Sequence, residues 1–325
     1  MSRYLKALIR ILILFAIMCC GASFLDLRRL SGCFTKDILF ATVLYEPILV
    51  ISFILMAQRL AIFARKPAAP FLPSLESVVL SAGLNFALPS RLSEFVKPAI
   101  LKNRVGIPFS EGLGAVILER ITDLLIVFGL AISTVGFLCI DLNWKWIVGV
   151  FISLILGLAS LPYLEAGILK VIGLLPLRNW KDFLSRIITH AVCNVRQGRI
   201  YTGGSFGLGA WAFSAASVFV YFDYVGRIPI GLQGSMAVFV ATSLANCIPG
   251  LPGAIGTYEA ATTVVLMRYG YGLEESIALA LALHVGQFFL VLLMSGAILI
   301  RGQIDILALL KDIKASSLDM MRISK

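Results

Sequence analysis

The chain has 325 residues, of which 59% are apolar and only 14% charged, with a formal net charge of +10. Soluble domains carry about 25% charged residues, so no soluble core could hide this much apolar surface, and a bilayer is the implied solvent. The basic residues lie between apolar runs instead of on one polar domain, which excludes a nucleic-acid-binding role and reads as the positive-inside pattern of a bacterial cytoplasmic (inner) membrane protein.

Along the chain, Ser2 to Phe24 has basic residues followed by an apolar stretch, as a signal peptide does, but lacks a clean A-x-A site. The run from Ala7 to Leu25 approaches spanning length and reads as an uncleaved first helix. A second span is expected over 38–60. The next apolar stretch, 75–105, is broken at Pro89-Ser90-Arg91 and again near Pro98. Spans follow over 112–140 and 146–164. Leu177 to Gln197 then alternates basic and apolar residues at helical spacing, as an amphipathic helix on the cytoplasmic surface would. A span over 203–225 leads into 231–270, broken at Pro249-Gly250-Leu251-Pro252-Gly253, and a final span covers 275–300.

Proline removes backbone hydrogen bonds that lipid cannot replace, so such breaks survive only where protein or a watery cavity surrounds them. The two breaks share an order of residues: Asn85, Pro89, Glu94, Arg104, Gly106 and Glu111 in the first; Asn246, Pro249, Glu259, Arg268, Gly270 and Glu275 in the second. If each broken segment enters and leaves on one side, Arg65, Lys66, Lys97, Lys102, Arg104 and the basic stretch from Lys170 to Arg199 all face the cytoplasm, as do both termini. The expected architecture is all-α: one integral membrane domain over 1–325, a polytopic transmembrane helical bundle with two broken, re-entrant hairpins in an inverted repeat. The first repeat covers about 38–140, the second about 203–300, and a cytoplasmic amphipathic linker about 166–202.

Charges near the bilayer centre cost at least about 2.5–3.5 kcal/mol, so each needs a partner or a task. Glu119, Arg120 and Asp123 sit in an otherwise apolar span. Glu119 and Asp123 share a helical face, and Arg120 is placed to pair with Asp123. They form either an internal ion pair that locks helices or a polar lining that meets a headgroup. Arg91 and Glu94 flank the first break, and the planar fork of Arg91 suits a lipid phosphate. Glu259 suits a cationic headgroup or a proton. His284 and Gln287 share a face of the last span, and Asn85 and Asn246 are candidate caps of the half-helices. With two histidines and no CxxC or Cys/His cluster, neither a metal nor any other cofactor is expected, and the six cysteines read as small buried hydrophobes. No GxxxxGK[ST], GxSxG or HExxH motif occurs.

Three motifs carry a family resemblance: Asn85-x3-Pro89-x-Arg91-x2-Glu94, Glu119-Arg120-x2-Asp123, and Pro249-x2-Pro252-Gly253-x2-Gly256-x2-Glu259. In these the chain resembles the lysylphosphatidylglycerol synthase transmembrane region, or flippase-like domain, family. The resemblance implies an inner-membrane protein that translocates or otherwise handles a lipid. The resemblance is to the membrane part alone, so the aminoacyl transfer of the family's multiple peptide resistance factor is not expected here. Two departures stand out: Ser93 where the family usually has glycine before the glutamate, and Ala254 where a second glycine often follows Pro-Gly. The expected function is a lipid flippase with membrane lipids as partners. The alternatives are an integral-membrane enzyme acting on a lipid carrier and an accessory subunit bound to a lipid-synthesis enzyme.

Overall fold

The computed structural model describes residues 35–64, 68–86, 92–134, 144–174, 178–225, 228–246, 252–302 and Ile304. The expected first helix over 7–25, Arg91, and five of the six cysteines lie outside them. Among the described residues the fold is helical throughout.

α1 (Lys36–Leu44) and α2 (Glu46–Ala64) run almost continuously and are parted only at Tyr45. Pro47 explains the seam, because a proline without an N–H is tolerated in the first turn of a helix and not in its interior. α3 (Phe71–Asn85) is followed by a 3-10 turn (Leu92–Phe95) and by α4 (Val96–Val105). Gly106, at φ 73°, ends α4 in the left-handed conformation, and α5 (Phe109–Thr134) begins three residues later. α6 (Trp144–Leu174) is the least buried of the long apolar helices and runs ten residues beyond the expected 146–164. α7 (Arg178–Arg196) is the expected amphipathic helix and buries Ile187, Ala191 and Val192. α8 (Arg199–Phe219) ends in a π-helical turn (Val220–Val225). α9 (Gly231–Ala245), a 3-10 turn (Pro252–Ala254), α10 (Thr257–Arg268) and α11 (Leu273–Gly302) complete the bundle.

Among the described residues, four helical stretches are long and apolar enough to cross a bilayer: 36–64, 145–174, 199–223 and 273–301. α5 has the length but carries Glu111, Glu119, Arg120 and Asp123, which keep it out of that set.

The segments on either side of each break fold back on one another. In the first, Arg104 Nε lies 3.3 Å from Glu76 Oε2, and Ser81 Oγ donates to the Ser93 carbonyl at 2.8 Å, pairing the start of α3 with the end of α4. In the second, Gly234 sits so close to Tyr269 that an added β-carbon would lie 3.0 Å from the ring. Each 15-residue leading helix is only about 22 Å long, too short to span a bilayer by itself.

α2 and α8 form an antiparallel pair at the centre. Phe63 packs on Gly203, Arg59 on Gly207, and Ser52 Oγ donates to the Ala210 carbonyl at 2.9 Å. Small residues on α8 permit this approach, which gives the Gly203/Gly207 spacing its packing role. Because α2 and α8 run in opposite directions, the hairpin after α2 starts at one end of the pair and the hairpin after α8 starts at the other. The element order also recurs: a 15-residue helix, a break, a 3-10 turn, a short helix, a left-handed glycine (Gly106 or Gly270) and a long helix.

At the α2 end of this pair, α7 supplies a cap. His190 Nε2 lies 2.7 Å and Asn194 Nδ2 3.2 Å from the Phe63 carbonyl, one of the last in α2 that no helical N–H satisfies. Burial holds the His190 imidazole below its ordinary pKa, so it is neutral, and the carbonyl fixes the proton on Nε2. Arg196 of the same helix reaches α6, with Nη2 2.9 Å from Glu165 Oε2 and 3.1 Å from the Pro162 carbonyl.

Candidate functional site

The segments flanking both breaks meet at a cavity of about 550 Å³ between α2, α3, α5, α8, α9 and α11. Asn85, Phe86 and Ser93 reach it from the first hairpin, and Asn246, Pro252 and Gly253 from the second. Its size falls within the range of small-molecule sites.

One wall is charged. Lys97 Nζ is 3.1 Å from both Glu94 Oε2 and Glu119 Oε2, and only 7% of its side chain is exposed. Arg120 Nη2 is 3.0 Å from Asp123 Oδ2, while its Nη1 is 3.8 Å from Glu94 Oε1, beyond hydrogen-bond range. Arg120 Nε has no hydrogen-bond partner. Behind this wall lies Arg59, the largest fully buried side chain among the described residues, with Nε 3.3 Å from Glu119 Oε1 and both Nη atoms on Asp123. Trp211 Nε1 donates to Asp123 Oδ1 at 2.7 Å. Three cations and three carboxylates are thus joined in one network from α2, α4, α5 and the 3-10 turn. The cavity-facing members are Glu94, Lys97 and Arg120, with one net positive charge; Arg59, Glu119 and Asp123 stand behind them with one net negative charge.

The opposite wall is aromatic and hydrogen-bonded. His284 stacks on Tyr258 with ring centroids 4.2 Å apart, and its Nδ1 is 2.7 Å from Glu259 Oε1. Glu259 Oε2 accepts the N–H of Gly256 at 2.7 Å, closing the first turn of α10. Gln287 Nε2 donates to Tyr258 Oη at 3.0 Å. Gly253, at φ 69°, lies directly against the ring of Phe86, where any β-carbon would collide. Ala254, at φ 57°, is the only non-glycine among the described residues with a left-handed backbone, at the position where the sequence departs from the family's glycine pattern.

Of the residues singled out from sequence, Asn85, Glu94, Arg120, Asn246 and His284 line the cavity. Glu119 and Asp123 are held behind the wall by Arg59. Glu259 is held on His284 and Gly256 at the edge of the site, and Arg91 lies outside the described residues. The anticipated pairing of Arg120 with Asp123 is present. Asn246 is the C-cap of α9, whereas α3 is capped by Phe86, and Asn85 Oδ1 instead accepts from Ser93 Oγ at 3.4 Å across the break. Lys97 corrects the sequence reading: counted there with the cytoplasmic loop charges, it is buried between two carboxylates. Arg59 was missed, although an arginine within an apolar span signals a buried partner by itself.

The fold and site therefore define a multi-pass helical membrane protein with a polar cavity between two broken hairpins. The chain belongs to the lysylphosphatidylglycerol synthase TM region family, whose model matches residues 37–295. Membership places it among integral membrane proteins that handle lipids. No curated protein and no solved structure matches the chain.

Proposed function

We propose that the protein is a lipid translocase of the bacterial inner membrane, with both termini in the cytoplasm, and that its two hairpins form an inverted repeat entering the bilayer from opposite faces. The observation that carries this reading is the convergence of the segments flanking both breaks on one cavity whose charged wall presents Lys97 and Arg120. A headgroup shielded there can move while its acyl chains stay in lipid, since broken backbone at membrane depth requires a polar enclosure. Arg120 offers Nη1, whose nearest carboxylate oxygen is 3.8 Å away, to a phosphate, and Lys97 adds charge beside it. Arg59, Glu119 and Asp123 position Arg120 and do not themselves meet the headgroup.

Purified protein in liposomes containing a fluorescent anionic phospholipid tests this directly, using a membrane-impermeant quencher to report the outer leaflet. Wild type is expected to equilibrate the label between leaflets at least tenfold faster than empty vesicles, and Arg120→Gln to lose most of that gain. Movement no faster than in empty vesicles, across a panel of phospholipids and glycolipids, overturns the proposal.

A further inference from the structure

We infer that His284, held by Glu259 and enclosed by Tyr258 and Phe86, is a proton-binding site, and that its proton crosses together with an anionic cargo as a symport. The symport rests on the translocase reading; the proton site stands on its own geometry.

Glu259 accepts through both oxygens: Oε2 takes the Gly256 N–H and Oε1 the Nδ1–H of His284, each at 2.7 Å. A carboxylate on Nδ1 fixes the tautomer and leaves the ring's lone pair on Nε2. No hydrogen bond among the described residues engages Nε2, and the ring lines the cavity. A second proton arriving from the cavity therefore meets an open nitrogen with a carboxylate already seated behind the ring. Two aromatic faces favour the same charged form. Tyr258 stacks on the imidazole at 4.2 Å and the Phe86 centroid lies 5.9 Å away, both within cation–π range. Acid–histidine pairs at membrane depth are the usual parts of a proton relay.

The other titratable groups around His284 are engaged elsewhere. Between α1 and α2 the Tyr45 hydroxyl donates to the Leu283 carbonyl at 2.8 Å, with Glu46 next to it at the start of α2. From the π-helical turn, Tyr221 donates to the Leu279 carbonyl at 3.1 Å. Tyr258 accepts from Gln287, and Phe86 and Asn246, from the ends of α3 and α9, do not titrate. Across the cavity, Glu94 is paired with Lys97 and Arg120 with Asp123. The chain's other histidine, His190, has Nε2 on the Phe63 carbonyl, at the end of α2.

Electrostatics link this proton to an anion. With the ring neutral, the Glu259 carboxylate stands uncompensated beside the cavity and repels a phosphate. With the ring protonated, that charge is cancelled and the opposite wall of Lys97 and Arg120 prevails. Proton and anion therefore raise each other's occupancy, reciprocally. One proton with a univalent anion carries no net charge, so the pair crosses without working against the membrane potential. The proton also ties the moving parts together, since Phe86 belongs to the first hairpin and Tyr258 and Glu259 to the second.

Two measurements separate these claims. In detergent, a fluorescent phosphodiester lipid, whose own charge is constant over the range, is bound at about pH 5.5 and about pH 8, which bracket histidine's charge change. Wild type is expected to bind at least threefold tighter at the lower pH, and His284→Gln equally at both. Glu259→Gln, which keeps an acceptor for the Gly256 N–H, should also bind equally and carries the test if His284→Gln does not fold. Binding by wild type that ignores pH, or pH dependence retained by the folded variants, overturns the proton site. In liposomes under a gradient of one pH unit, wild type should hold about ten times more label in the leaflet facing the alkaline side at steady state, the ratio that one proton per lipid sets, while empty vesicles stay even. Label that moves but settles evenly overturns the symport. No movement alongside pH-linked binding keeps the proton site and removes the translocase reading.

Discussion

Gly253 and Phe86 touch across the meeting point of the two hairpins, the backbone of one lying flat on the aromatic ring that ends the leading helix of the other. The contact depends on a left-handed residue without a side chain. Gly253→Ala is expected to displace the ring and strain the turn, at a cost of about 1–3 kcal/mol. The neighbouring Ala254→Gly relieves a left-handed alanine and should stabilise by about 1 kcal/mol, less the entropy that glycine adds to the unfolded chain. Thermal unfolding in detergent, followed by size-exclusion fluorescence, should move in opposite directions for the two variants. A shift of both in the same direction would refute the backbone account.

Arg59 neutralises two carboxylates at once. Replacing it with leucine leaves Glu119 and Asp123 competing for Lys97 and Arg120, and breaking a buried pair in this way costs about 3–5 kcal/mol. The double variant Arg59→Leu with Glu119→Leu restores charge balance and should recover most of that loss in the same unfolding assay. If the double variant is no more stable than the single one, the network is not held together by charge compensation.

Glu259 closes the first turn of α10 through Gly256. Alanine there should cost about 0.5–2 kcal/mol, the usual range for a lost N-terminal cap, whereas glutamine still presents an acceptor and should retain most of the stability. Equal destabilisation by both substitutions would mean that the carboxylate charge beside His284 matters more than the cap.

The proposed opposite entry of the hairpins has a chemical test. Asn103, near the base of the first hairpin, and Glu275, at the start of α11 beyond the second, are both exposed. With the six native cysteines replaced, Asn103→Cys should react with an impermeant maleimide only after the cytoplasmic side is opened, and Glu275→Cys should react in intact cells. Labelling of both from one side would rule out the inverted arrangement.

The spans were legible because a 20-residue apolar run has few other meanings, and the breaks because Pro and Gly interrupt a pattern that lipid otherwise enforces. The candidate site was half legible. Glu119, Arg120 and Asp123 announced themselves as charges in an apolar helix, and the Arg120–Asp123 pairing followed from their spacing. The partnership of Arg59 with Asp123 crosses between helices and 64 residues of chain, and no local spacing encodes it. Lys97 was misplaced for a related reason: near the end of a polar stretch, a lysine that snorkels and a lysine that is buried look alike until its partners on α5 are known. The extension of α6 to Leu174 escaped because the anchor of its last turn, the Lys181 ammonium donating to the Gly173 carbonyl at 2.6 Å, comes from the following helix.

Sharing one charge network among α2, α4 and α5 sets an order of events during synthesis. Arg59 leaves the ribosome about 60 residues ahead of Glu119, or ~3–12 s at ordinary elongation rates. During that interval its guanidinium lacks the two carboxylates it holds in the folded protein. Five residues from the end of α2, it is close enough to the interface to wait there with its head in water, and it is drawn inward only when α5 arrives. The charged half of the chamber is therefore assembled before the ribosome has begun α8, and its closure waits on the second hairpin.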